Sequence, residues 1–143
     1  MTDADLTAEL SPVVEGLGLA LVECRSQGVR GVLHVHVVVH RLGGVSIDDC
    51  AEVHRTIVPR LELLTDHRDI HVEVSSPGIS RKLKENREFP IFVGMKMKVM
   101  DMANEWKYGL LEAADDEGIV LNVDGTNERL AYPEIRAARL EDT

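Results

Sequence analysis

Aromatic side chains are nearly missing from this sequence, which has one Trp, two Tyr and two Phe among 143 residues. A core must therefore be built from Val, Leu and Ile, and a hydrophobic content of 44% is enough to form one. Cysteine is equally scarce. Cys24 and Cys50 lie far apart and belong to no CxxC pair, so both are expected as buried free thiols rather than as a disulfide. Long apolar runs are absent too, since nothing approaches the roughly 18 apolar residues that a membrane helix needs. The opening stretch MTDADLTAEL lacks the basic start and apolar run of a secretion signal. A cytoplasmic protein with no membrane contact is the expectation.

What is present is acid, unevenly spread. The formal net charge is −9. Residues 1–80 sum to −6 and residues 99–143 to −7, whereas the short span 81–98 sums to +4. One basic island thus stands between two acidic halves. Such a footprint attracts phosphate locally while the acidic remainder discourages indiscriminate binding.

Hydrophobic spacing predicts a helix from Asp3 to Glu15, with Leu6, Leu10, Val13 and Leu17 on one stripe. Pro12 should cost it a hydrogen bond and bend it, and Gly16 and Gly18 should end it. Leu19 to Arg25 and Val29 to His40 read as antiparallel strands joined through Ser26-Gln27-Gly28. In the second, Leu33, Val35, Val37 and Val39 share one face. Ser46 caps a second helix, with Asp48 and Asp49 where the helix dipole favours them and a stripe of Ile47, Cys50, Val53, Ile57 and Leu61. Pro59 leaves its last turn open. After a polar stretch from Thr65 to Asp69, Ile70, Val72 and Val74 mark a third strand, giving the order αββαβ.

Ser75-Ser76-Pro77-Gly78 then reads as a turn, with Gly78 in the left-handed conformation. Beyond Gly94 come short strands, Met95–Met102, Tyr108–Ala113, Gly118–Val123 and Arg129–Tyr132, then a turn and a last strand from Ala137 to Leu140. Closely spaced strands with tight polar turns suggest a small barrel. The expected division is an α+β domain over residues 1–80, a basic interdomain segment over 81–93 and an all-β barrel over 94–143.

Candidate chemistry is sparse. His34, His36 and His40 share a strand face, with His71 on a neighbour, which could be read as a zinc site but fits a polar outer sheet face better. Ser75 and Ser76 have no GxSxG elbow and no base assignable from spacing. Asp48-Asp49 and Asp115-Asp116-Glu117 fit a helix start and a hairpin turn without any ion. No GxxxxGK or GxGxxG phosphate loop occurs. The basic island is Arg81, Lys82, Lys84 and Arg87, reinforced by Lys96 and Lys98, and these six are the candidate RNA- or ribosome-binding residues.

The run Val72-Glu73-Val74-Ser75-Ser76-Pro77-Gly78-Ile79, followed by Arg81 and Leu83, resembles the bacterial ribosome maturation factor family RimP. Gly43 to Ala51 is similar to that family's second-helix entry, as are Pro12 to Glu15 near the start and Ile135 to Leu140 near the end. The chain departs from the family's common Asp and Arg-Pro after the turn, having Ser80, Arg81 and Lys82 there, and its second strand is richer in His. The resemblance implies a C-terminal SH3-like (Sm-like) barrel behind the α+β domain. It implies a non-enzymatic factor that binds the immature small (30S) ribosomal subunit and assists its assembly. Expected partners are ribosomal RNA and a small-subunit protein near the decoding region, with no cofactor, no catalytic residue and no metal. The protein is expected to be a monomer. Two other readings are a protein-binding adaptor whose acidic barrel recognises a basic partner, and a His-based zinc enzyme.

Overall fold

The computed structural model describes residues 1–67, 69–78 and 80–141. Arg68 in the polar stretch and Ile79 in the signature run lie outside them. The chain divides into two compact units, Met1–Pro77 and Gly78–Thr143. The first is an α+β layer of two helices on a three-stranded sheet, and the second is an all-β unit.

Helix α1 (Asp3–Glu15) opens with a reciprocal cap, in which the Asp5 N–H donates to the Thr2 hydroxyl and the Thr2 N–H to the Asp5 carboxylate. Leu6, Leu10 and Val14 are buried at steps of four. The expected stripe runs through Val13 instead, which is only partly buried, because the buried face is centred on Leu10, with Leu6 and Val14 one step of four to either side. Pro12 is tolerated inside the helix: Ala8, whose carbonyl loses its partner, is exposed to water.

Strands β1 (Ala20–Val29) and β2 (Val32–His40) are antiparallel and joined by Arg30-Gly31, at φ 51° and 82°. Two successive positive φ values make the tight hairpin turn that matches strand twist. The turn therefore lies beyond Ser26-Gln27-Gly28, which instead pair with Val35, His34 and Leu33. Ser26 is held in β1 by Asp3, whose carboxylate accepts from its N–H at 2.9 Å and its hydroxyl at 2.6 Å. A bulge between Leu21 and Glu23 puts both Leu21 and Cys24 in the core.

Helix α2 (Ile47–Leu64) begins with a second reciprocal cap between Ser46 and Asp49. The backbone bond from Ser46 and the Arg41 guanidinium hold the Asp49 carboxyl below its usual range. The helix passes through Pro59 to Leu64, since the carbonyl left free at Arg55 also faces solvent. Ile47, assigned to the apolar stripe, is 88% exposed; only Val53, Ile57 and Leu61 are buried. The first turn is exposed at Ile47 and Asp48. Strand β3 (Asp69–Ser75) pairs parallel to β2, giving the order β1-β2-β3 with α2 as crossover. Leu33, Val35, Val37 and Val39 meet both helices in one core.

In the second unit an edge segment and a 3-10 turn (Asn86–Phe92) precede β4 (Lys96–Asp101), β5 (Trp106–Ala114), β6 (Gly118–Val123), β7 (Thr126–Ala131) and β8 (Ile135–Leu140). The strands run antiparallel in the order β7-β6-β5-β4-β8, so the last returns beside the first. A 3-10 turn at Tyr132–Glu134 makes that return, as in an SH3-like (Sm-like) barrel. Asp124 and Gly125, at φ 52° and 86°, form the tightest hairpin. Gly109 is fixed by crowding, because a Cβ there would collide with the Asn122 carbonyl on β6. Among the described residues no helix is long and apolar enough to cross a membrane.

Replacing Ile57 by Ala should cost about 2–5 kcal/mol, read as a lower urea midpoint with an unchanged slope. Cys24 is buried, and desolvation pushes its thiol up to about 11, with Asp3 and Glu23 adding repulsion. Alkylation of the native protein near pH 8 should therefore spare Cys24, with mass spectrometry finding it modified only after unfolding. Cys50 is only partly buried, contrary to the expectation for both thiols, and should be modified first.

Candidate functional site

The basic island is not a linker. Residues 81–83 add to the edge of β8: the Leu140 N–H donates to the Arg81 carbonyl and the Leu83 N–H to the Ala138 carbonyl, each at 2.9 Å. Lys82 faces Arg139 across this pairing. Strand alternation then sends Arg81 and Leu83 inward and Lys82 outward. Leu83 is 8% exposed and Lys82 is exposed. The expected interdomain segment, 81–93, thus belongs to the second compact unit.

Arg81 lies inside because Glu88 does. The Glu88 side chain is 2% exposed, accepts from Arg81 Nε at 3.0 Å and lies 2.9 Å from Nη2 in an ion pair. Its second oxygen accepts the N–H groups of Lys84 at 2.9 Å and Glu85 at 3.0 Å. One carboxylate so ties the edge segment to the 3-10 turn that follows. Arg81, with a side chain 10% exposed, is therefore a structural cation and does not stand with the outward-facing candidates. Arg87 pairs with Glu85 at 2.8 Å on the surface. An exposed pair of this kind is worth about 0–1 kcal/mol and leaves the guanidinium exchangeable.

The outward cations gather on the sheet. Lys98 on β4 is the direct partner of Arg139 on β8, which is in turn the partner of Lys82. Lys96 lies two positions from Lys98 on the same strand face. Lys98 Nζ sits 4.7 Å over the Trp106 ring. Arg139 Nη1 also donates to the Ser80 carbonyl at 3.3 Å. Arg139 was missed from sequence because it lies far from the island; an inward Ala138 and Leu140 alternating with it was the available signal.

Ser75, Ser76, Pro77 and Gly78 do not form the turn expected of them. Ser75 ends β3, and the hydrogen-bonded turn runs from the Gly78 carbonyl to the Arg81 N–H at 3.1 Å. Gly78 does not take a left-handed φ.

On the first unit's sheet, the outer face carries the histidines. His34 and His71 rings stand 5.3 Å apart. Arg25 Nη2 is 2.7 Å from His36 Nδ1, and His36 Nε2 is 2.9 Å from Ser75 Oγ. Spacing gave no base for Ser75, yet strand pairing supplies this one. A guanidinium only donates, so Nδ1 accepts and Nε2 carries the proton toward Ser75. A general base needs the opposite tautomer, with Nε2 open to take the hydroxyl proton. His40 is buried, unlike the polar outer face expected of it, and desolvation lowers its pKa. Among the described residues no group of three or more His, Cys, Asp or Glu could hold a metal.

The family model described as the RimP N-terminal domain matches residues 9–80. Curated relatives named "Ribosome maturation factor RimP" match along most of the chain. The one from Borrelia turicatae is 30% identical over 90% of this chain and 88% of its own length. That from Borrelia hermsii is 29% identical over the same shares. Among solved structures, the pleiotropic translational regulator Hfq is similar at 16% identity and a TM-score of 0.35, covering 37% of this chain and 92% of its own. A likeness that slight carries no argument about fold or function.

Removing Glu88 tests the architecture of this site. Glu88→Ala should cost about 3–5 kcal/mol in urea unfolding, because it removes the carboxylate that pairs with a buried guanidinium and accepts two backbone N–H groups. The double change Arg81→Met with Glu88→Leu should recover much of that loss. A single substitution that left stability unchanged would remove the structural role given to the pair.

Proposed function

This chain belongs to the RimP family of ribosome maturation factors, and on that premise we propose that it binds the immature small (30S) ribosomal subunit and assists its assembly without catalysis. The observation that carries this reading is the match to ribosome maturation factors along nine-tenths of the chain. The geometry supplies a means. Lys82, Lys84, Lys96 and Lys98, with Arg139, contact ribosomal RNA phosphates, and Arg87 joins them by exchanging Glu85 for phosphate. Arg81 acts from within, holding the edge on which Lys82 stands. The Ser75 to Gly78 stretch leads into that edge through the Gly78–Arg81 turn. Phosphate contacts position a protein without reading base sequence, which suits a factor guided by the shape of an assembling particle. The acidic remainder of the chain suits a second contact, with a basic small-subunit protein near the decoding region.

Co-sedimentation with purified small subunits, large subunits and joined ribosomes tests the reading. Binding should be selective for small subunits and weaken as salt rises. The double variant Lys82→Gln/Lys98→Gln should keep its fold and flatten the plot of log affinity against log salt by about 2. Absence of binding to small subunits at low salt would overturn the proposal.

A further inference from the structure

The sheet face of the second unit carries more than phosphate contact requires. Lys82, Arg139, Lys98 and Tyr108 form one line across the edge segment, β8, β4 and β5, because each is the direct cross-strand partner of the next. Directly opposed residues project to the same face about 5 Å apart. Three cations therefore stand side by side, and like charges directly opposite one another destabilise a sheet. Among the described residues these three make no ion pair. Glu141, whose N–H donates to the Lys96 carbonyl at 3.0 Å, places an acid beside Lys96. The positive potential is thus centred on the line itself.

The line ends on an aromatic ring. Tyr108 is 53% exposed, and Trp106, two positions back along β5, shares its face and lies beneath Lys98. The chain has five aromatic residues of these types. Phe89 and Phe92 are buried, and the Tyr132 hydroxyl is engaged by the Asp115 carbonyl at 2.6 Å. The two that remain both lie beside the cations. A phosphate-only patch has no use for exposed rings, whereas a nucleotide presents a base beside each phosphate.

The geometry points to this face as the binding site for an unpaired stretch of RNA, with bases stacked on Tyr108 and Trp106 and phosphates along Lys98, Arg139 and Lys82. Paired RNA hides its base faces within the helix and offers the rings nothing, so the site discriminates single strands from duplex. A basic protein would be repelled by the three cations. The inference rests on the reading of the chain as a small-subunit maturation factor, and it narrows that reading to unpaired segments of the RNA.

Trp106 is the sole tryptophan, so its fluorescence reports on this face alone. The full chain is titrated with an oligoadenylate of about 8 nucleotides, within the site size of such faces. The expected result is saturable, salt-weakened quenching, with a blunt RNA duplex binding more weakly and quenching little. Tyr108→Ala should weaken oligoadenylate binding about five-fold or more while circular dichroism stays unchanged. Duplex binding as tight as the single strand, or unaltered affinity in the Tyr108 variant, would overturn the inference. Co-sedimentation of the same variant separates the two readings. If Tyr108→Ala binds small subunits as the parent does, the stacking face is wrong and the maturation role stands. If the parent itself fails to bind subunits, the role fails. Loss of subunit binding in the variant, with no quenching of the parent by any RNA, would assign the face to a protein partner and overturn the RNA site.

Discussion

A carboxylate buried in the second unit organises the edge segment that flanks its sheet. Glu88 has almost no contact with solvent, and it is satisfied on one side by Arg81 and on the other by two backbone N–H groups. Burying an ionised carboxylate is costly unless it is paired and hydrogen-bonded, and here both conditions are met by the same short stretch of chain. The consequence is geometric. Arg81 drawn inward leaves Lys82 no option but to face outward, directly opposite Arg139. A charge hidden inside the unit thereby sets the register of charges displayed outside it.

The first unit applies the opposite economy. Its core is almost wholly aliphatic, with both helices capped at their starts by reciprocal side-chain bonds. Polar side chains are sent to the outer face of the sheet, where Arg25, His36 and Ser75 bond to one another in a sequence of fixed direction. That direction, set by a donor that cannot accept, makes the chain of contacts a brace between β1, β2 and β3. The same three residue types with a carboxylate in place of Arg25 would have invited a catalytic interpretation.

Much of the architecture is legible in residue order. The cap at Ser46, the alternation of Leu33, Val35, Val37 and Val39, and the short strands after Gly94 are local signals, and each forms the element it announces. What escaped depends on partners distant in sequence. The hairpin lies at Arg30-Gly31 because Asp3, far upstream, holds Ser26 in the strand. Ile47 matches a helical stripe perfectly well but has nothing above it to cover it. The candidate site was legible as a charge island, whereas its division was not. Arg81 and Lys82 look alike in sequence, and only the burial of Glu88 and the arrival of β8 separate a structural cation from an exposed one.

The return of β8 to the side of β4 also imposes an order in time. Both units are continuous in sequence, so during synthesis the first can close before the second has been made. Lys82 and Lys98 are both made before the strand that lies between them. Until β8 is inserted the edge segment has no strand to join, and the cations remain scattered on an unfinished chain. The charged line therefore exists only once β8 is in place: a polypeptide that stops short of β8 holds its parts without the arrangement. A protein that engages ribosomal RNA through that line would be kept from engaging it until β8 has folded beside β4.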